Sequence, residues 1–229
     1  MRKELHRNSK VRNTISLKNR GRKTREREET AKRGTLTNPV SFSYFDSDTR
    51  LGAGPQTVSC DFKKVFKVHD KLYYGLAGLG TDVQTMSELL DFRMRMYELR
   101  EERKIKPKTF GSVLCNILYS RRFGPYFTEP VVAGLDAQNG NKPYLCAMDL
   151  IGAPVFTDDF LVAGTCSDNL YGTCESLYQP DMDPETLFET LSQALLAAVD
   201  RDALSGWGAT VTIITPTETF TRKLQARMD

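Results

Sequence analysis

The sequence has no apolar run that approaches the roughly 20 residues needed to cross a bilayer, and its amino terminus is basic and polar. These absences argue against a membrane span and a secretory signal, so we expect a soluble intracellular protein without membrane partners. No two of the five cysteines have the C-x-x-C spacing of a zinc site, and their odd number and scattered positions do not suggest a disulfide framework. We therefore expect five buried free thiols, with no metal and no cofactor.

Charge is distributed unevenly along the 229 residues. Residues 1 to 35 contain 13 Lys and Arg against 4 Glu, a net charge of +9, whereas the remaining residues contain 19 basic and 25 acidic side chains, a net charge of −6. The basic arm, residues 1 to 39, has almost no apolar periodicity. We expect it to be a disordered extension or a wrongly assigned start, and residues 40 to 229 to form the domain. Nucleic-acid contact, mitochondrial targeting and docking on an acidic partner are the alternatives for the arm.

Two amphipathic patterns predict long helices. The first covers residues 81 to 101, where Thr81 and Gln84 have the spacing of a capping box. The second covers residues 183 to 201, with Asp183 as the N-cap and Pro184 at the first helical position. Shorter helices are predicted for residues 108 to 122 and 167 to 178.

Short runs of β-branched and aromatic residues, separated by turn residues, predict the strands. They cover residues 40 to 45 and 71 to 80, several segments between 129 and 166, and residues 208 to 215 and 219 to 225. The order is strands, two helices, strands, two helices, strands. This order favours an α+β fold, a four-layer αββα sandwich of two antiparallel sheets, over a doubly wound parallel sheet.

Several motifs add a specific resemblance to this pattern. In order, they are "DTRLG", "DFKKVFKVHDKLYYGLAGLGTDVQ", "RRFGPYFTEPVVAGLD", "AVDRDALSGWG" and the terminal "ARMD". Over residues 45 to 229 the chain resembles β-type subunits of the 20S proteasome, and the resemblance is closest to the non-catalytic β3 type. It implies the N-terminal-nucleophile hydrolase fold, which agrees with the predicted layers.

The resemblance also implies a cellular role. The chain would belong to the core that degrades proteins in the ubiquitin-proteasome pathway, in the cytoplasm and nucleus. Its partners would be other α- and β-type subunits in stacked seven-membered rings, with no nucleic acid.

The catalytic residues of the family can be compared with this sequence. Active subunits use an N-terminal threonine whose own amine is the base, with an aspartate and a lysine beside it. By resemblance, Asp48 and Lys64 match this aspartate and lysine, and Asp202 and Ser205 match the supporting aspartate and serine. Gly78 matches the glycine whose N–H helps to bind the oxyanion. The supporting residues of the family are therefore present.

The nucleophile is missing from its expected place. In the family it lies sixteen residues before the aspartate, a position that Lys32 holds here. Gly34-Thr35 copies the processing junction of active subunits, but Thr35 lies only thirteen residues before Asp48, which removes about 10 Å of extended chain. We therefore expect a non-catalytic, structural subunit. The alternatives are an active threonine-type endopeptidase that uses Thr35 and, more remotely, a nucleic-acid-binding protein led by the arm.

Overall fold

The computed structural model describes residues 10–11, 14–19, 42–180 and 182–226, with side chains from Ser43 onward. Within this part of the chain there are four α-helices. They are α1 (Gly80–Glu101), α2 (Pro107–Tyr119), α3 (Ser167–Leu177) and α4 (Pro184–Val199).

The two long helices confirm the amphipathic patterns, but one predicted cap is wrong. Asp183 is the N-cap of α4 and Pro184 its first residue, as predicted. Helix α1 instead begins at Gly80 with Leu79 as its N-cap, and no side chain caps it. Thr81 therefore lies inside the first turn, where its carbonyl accepts a hydrogen bond from the Thr85 hydroxyl. The buried strand before α1 continues directly into the helix and leaves no separate cap position.

The strands form two sheets in which every pairing is antiparallel. In chain order they are β1 (Lys10–Val11), β2 (Thr14–Asn19), β3 (Phe42–Asp48), β4 (Leu51–Ala53), β5 (Gln56–Ser59), β6 (Val65–His69), β7 (Leu72–Leu79), β8 (Thr128–Asp136), β9 (Lys142–Met148), β10 (Pro154–Phe156), β11 (Phe160–Ala163), β12 (Ala209–Ile214) and β13 (Thr219–Leu224). Sheet A has the order β10-β9-β8-β7-β1-β4-β5, with β6 also paired to β7. Sheet B has the order β11-β2-β3-β12-β13.

Three apolar clusters define four layers. Sheet A packs on α1 and α2, with Leu90 and Leu114 fully buried there. Sheet B packs on α3 and α4, with Leu191 fully buried. The third cluster lies between the sheets and contains Phe45 and Val131. Because each sheet buries one face against helices and the other against its partner sheet, the predicted αββα sandwich is confirmed.

The structure differs from the sequence-based expectation within the basic arm. We expected residues 1 to 39 to lie outside the folded domain, but β1 joins sheet A and β2 joins sheet B between β3 and β11. Strand Thr14–Asn19 is paired on both edges, and its short alternation of polar and apolar residues was overlooked within the basic arm. The rest of the arm lies outside the described residues.

Cysteine burial also departs from the expectation of five buried thiols. All five cysteines are free, and Cys146, Cys166 and Cys174 are buried as predicted. Cys115 is half-buried and Cys60 is exposed, so the prediction is wrong for Cys60, which follows the end of β5.

None of the helices in the described part of the chain is both long and apolar enough to cross a bilayer.

Candidate functional site

A buried ion pair joins two of the predicted site residues. Asp48 is the last residue of β3, and its Oδ1 lies 2.5 Å from Lys64 Nζ, with both side chains fully buried. Lys64 precedes β6, and its carbonyl accepts the Leu76 N–H of β7 at 3.0 Å. The pair therefore bridges the two sheets, since Asp48 belongs to sheet B and Lys64 is anchored on sheet A.

Burial dominates the electrostatics of this pair. Removal from water raises the pKa of Asp48 to about 6, and the nearby Lys64 ammonium opposes the rise. Burial likewise lowers the pKa of Lys64, and Asp48 opposes that change. An aspartate with a pKa of about 6 is mainly ionised at pH 7, so the interaction there involves a carboxylate.

The turn after α4 organises a second group of polar side chains around Asp202. Asp202 Oδ2 accepts hydrogen bonds from the Ser205 hydroxyl at 2.5 Å and the Thr165 hydroxyl at 2.7 Å. Its Oδ1 accepts the backbone N–H of Leu204 at 3.1 Å. The Asp202 and Ser205 that the sequence predicted as supporting residues are thus directly bonded to each other.

The same turn connects this group to the ion pair. Gly206, next to Ser205, directs its N–H at Asp48 Oδ2 at a distance of 3.4 Å. Burial raises the pKa of the Cys166 thiol, and the negative charges of Asp202 and Asp48 raise it further. The structure therefore brings Asp48, Lys64, Asp202 and Ser205 into one site.

Sequence reasoning missed three residues that shape this site: Thr165, Thr49 and Arg50. Thr165 follows Gly164, whose φ of +118° turns the chain from β11 into α3. The Thr49 hydroxyl donates to the carbonyl of Trp207 at 3.0 Å. Thr49 and Arg50 stand in the motif "DTR", of which only the aspartate was used.

Arg50 is almost completely buried, and its guanidinium binds two separate segments. It donates to the Leu204 carbonyl at 2.6 Å, to the Thr57 hydroxyl, and to the carbonyls of Gly54 and Pro55. The planar guanidinium presents several donors in fixed directions, which suits this number of acceptors. Arg50 therefore holds the turn that contains Ser205 against the β4–β5 hairpin.

Gly78 lies near the end of β7, on the sheet A side of the site. Its φ is +142°, and a Cβ built there would lie 2.0 Å from the Phe127 carbonyl oxygen. Only glycine fits this backbone without displacing β8. The assignment of its N–H to an oxyanion remains a prediction.

The position of a nucleophile cannot be read from sequence spacing alone. Lys32 and Thr35 lie outside the described residues. Strand β2 pairs with one edge of β3, and Thr14 of β2 lies opposite Ser47. The sixteen-residue spacing assumes that the hairpin partner lies immediately before β3. In this chain residues 20 to 41 separate the two strands.

The described residues also contain no cluster of three or more His, Cys, Asp or Glu that could hold a metal ion.

Similarity to known proteins covers most of this fold. The family described as "Proteasome subunit" matches residues 43–214. The chain belongs to the proteasome subunit family. It is 55% identical to "Proteasome subunit beta type-3" of Picea mariana and 56% identical to the protein of that name from Oryza sativa subsp. japonica. The protein of that name from Dictyostelium discoideum is 54% identical. Each comparison spans 183 residues, which is 80% of this chain and 89% of the relative.

Family membership confirms the resemblance inferred from the motifs. It also accounts for assembly with other proteasome subunits, because members of this family are components of that complex. The matched residues begin at Ser43, one residue into β3, and therefore include Asp48, Lys64, Gly78, Asp202 and Ser205. The roles of these five residues remain predictions.

Proposed function

We propose that this chain is a non-catalytic, structural β subunit of the 20S proteasome core, of the β3 type. The observation that carries this proposal is the 50–56% identity to relatives named proteasome subunit beta type-3, from plants to fission yeast. In this role the chain contributes contact surfaces to stacked seven-membered rings, in the cytoplasm and nucleus, and other subunits cleave the peptide bonds.

The candidate site supports a structural role for its polar residues. Asp48 binds both Lys64 and the Gly206 N–H, and Asp202 binds two hydroxyls and a backbone N–H. Carboxylates with such partners stay satisfied without a substrate. The network joins the end of β3, the segment before β6 and the turn before β12, which are distant in sequence.

Processing of the amino terminus tests the proposal. An active subunit needs a threonine with a free amine, so its chain would have to begin at a threonine after cleavage. We expect N-terminal sequencing and intact-mass measurement of the protein from cells to find no chain that begins at Thr35 or Thr14. A mature chain that begins at either threonine would contradict the non-catalytic assignment.

Assembly is tested separately. We expect the chain to migrate with a large complex of α- and β-type subunits during size-exclusion chromatography of a native lysate. Recovery only as a stable monomer of its own 25.9 kDa would contradict the structural role.

A further inference from the structure

A histidine ring holds the connection between α1 and α2, residues 102 to 106, against the β6–β7 turn. His69 is the last residue of β6, and its Nε2 lies 3.0 Å from the Ile105 carbonyl oxygen. Its Nδ1 lies 3.2 Å from the Lys71 backbone nitrogen in the turn. The ring therefore links the joint between two helices to sheet A.

The two partners of His69 determine which ring nitrogen carries the proton. The Ile105 carbonyl can only accept a hydrogen bond, so Nε2 carries the proton and donates it. The Lys71 N–H can only donate, so Nδ1 is the unprotonated acceptor. Both bonds therefore require the neutral ring, because an imidazolium has an N–H group at each nitrogen. A proton on Nδ1 would place two donors face to face and break the bond to Lys71.

The Lys71 side of this contact is fixed independently of the ring. The Lys71 carbonyl accepts the Leu135 N–H of β8 at 2.8 Å, and its Nζ donates to the Asn141 side chain at 3.0 Å. The opposite side is a short connection that starts at Glu102 in the left-handed conformation, with a φ of +52°. A clash at Nδ1 is therefore relieved by movement of the ring, which also carries the donor away from the Ile105 carbonyl.

Charged groups of both elements lie around the His69 ring. Lys67 of β6 and Lys104 of the connection each form an ion pair with Asp70, at 2.9 and 3.0 Å. Burial lowers the pKa of His69 below its ordinary value of 6.5, and the hydrogen bond at Nε2 opposes this change. The charge of Lys104 lowers the pKa further, whereas Asp70 and Glu98 raise it. The ring is therefore neutral at pH 7 and is protonated only in more acidic solution.

We propose that His69 is a pH-sensitive clip: the neutral ring holds the α1–α2 connection on the β6–β7 turn, and protonation of Nδ1 releases it. A base whose pKa is lowered in the folded state binds its proton more readily in the open state, so acid favours opening. Release therefore becomes progressively more favourable below about pH 6.5. Ile105 is buried in the apolar cluster between sheet A and the two helices, so release also loosens that end of the cluster.

Hydrogen exchange of the full chain tests the clip. We follow the protection of backbone amides in residues 102 to 110, corrected for the intrinsic pH dependence of exchange. Between about pH 7.5 and about pH 5, we expect this protection to fall roughly fivefold or more, the effect of losing one ordinary hydrogen bond. Amides of α4 are the internal reference. They should not lose protection, because Asp46 and Asp48, whose pKa values are raised by burial, stabilise the fold as they bind protons.

Two variants make this test specific to the ring. His69→Phe keeps an aromatic ring without either hydrogen bond, so we expect low protection of residues 102 to 110 at both pH values. Lys104→Ala is the matched control, because it removes the exposed ion pair with Asp70 from the same connection but keeps the ring. Its protection should still fall in acid. Unchanged protection of the wild type, or the same fall in His69→Phe, would overturn the proposal.

Ring titration gives a second measurement that does not depend on the folding of His69→Phe. In a His6→Gln background, His69 is the only histidine of the chain, so its ring proton signals can be followed by NMR without ambiguity. We expect a midpoint below that of the same chain unfolded in urea, and the fall in protection of residues 102 to 110 to follow this titration. A midpoint equal to or above the unfolded value would contradict the clip.

Discussion

Lys64 Nζ and Asp48 Oδ1 lie 2.5 Å apart in a fully buried ion pair that joins the two sheets. Truncation of one partner leaves the other charge buried without its counter-charge, which commonly lowers the free energy of unfolding by about 3–5 kcal/mol. We therefore expect Lys64→Ala to destabilise the subunit strongly, as measured by denaturant unfolding and by its abundance in the assembled complex.

Two further variants make this prediction specific. Lys67→Ala is the matched control, because Lys67 pairs with Asp70 at an exposed, solvent-screened position and its loss should change little. The double variant Lys64→Met with Asp48→Asn removes both charges at similar volume and should recover much of the lost stability. If Lys64→Ala were as stable as the wild type, the Asp48–Lys64 pair would not stabilise the fold.

The stability of the chain should also depend on Asp46, a fully buried residue of β3. Neither of its carboxyl oxygens has a hydrogen-bond partner among the described residues, and burial raises its pKa well above the ordinary value of 3.8. An acid whose pKa is raised in the folded state stabilises most below its unfolded pKa. The free energy of unfolding therefore falls as pH rises above about 4, by up to about 1.4 kcal/mol per pH unit for one such group.

Asp46→Asn should remove this dependence because the amide does not titrate. We expect the variant to match the wild type near pH 3.5 and to become progressively more stable than the wild type as pH rises above about 4. Both the wild type and Asp46→Asn keep Asp48, whose pKa is raised to about 6. The titration of Asp48 therefore lowers the free energy of unfolding of both proteins by the same amount between about pH 4 and pH 6. Exposed Asp159→Asn is the control. A stability difference that does not change with pH would contradict the raised pKa of Asp46 in the folded state.

The hydroxyls of Ser205 and Thr165 share one acceptor, Asp202 Oδ2. A hydrogen bond to a carboxylate typically contributes about 1.5–3 kcal/mol, and partial exposure of Asp202 reduces that contribution. We expect Ser205→Ala and Thr165→Val each to cost about 1–2 kcal/mol of unfolding free energy, and their effects to be non-additive. Ser112→Ala, at an exposed position on α2, should have little effect. Strict additivity in the double variant would indicate two independent bonds.

The sequence predicted the helices and layers well because their signals are local. Residues 183 to 201 carry an N-cap, a following proline and an apolar face, so neighbouring residues were sufficient to place α4. Thr14–Asn19 has a short alternation of polar and apolar residues, with Ile15 and Leu17 as the apolar positions, but this signal is weak within the strongly basic arm. Pairing with β3 and β11 adds the long-range contacts that complete the strand.

The sequence predicted the charged and hydroxyl residues of the site but not all of their partners. Asp48, Lys64, Asp202 and Ser205 were found through family motifs, and the structure brings them together. Thr165 was missed because its partner Asp202 lies 37 residues away and the intervening helices give no sequence signal of their contact. The acceptors of Arg50 are backbone carbonyls, whose positions depend on the folded chain and not on residue type.

Thr35 is the residue on which the non-catalytic assignment can be refuted most directly. Strand β2 takes the position beside β3 that a catalytic hairpin strand would need, and Thr35 follows that strand in the sequence. We therefore expect Thr35→Ala to change neither the abundance of the assembled complex nor any class of its peptide cleavage. Lys64→Ala should lower abundance, because it breaks the buried pair with Asp48. The proposed non-catalytic role requires that the peptidase activity per assembled complex stays near the wild-type value. Loss of one class of peptide cleavage in either variant, with ring abundance unchanged, would show that this subunit is catalytic.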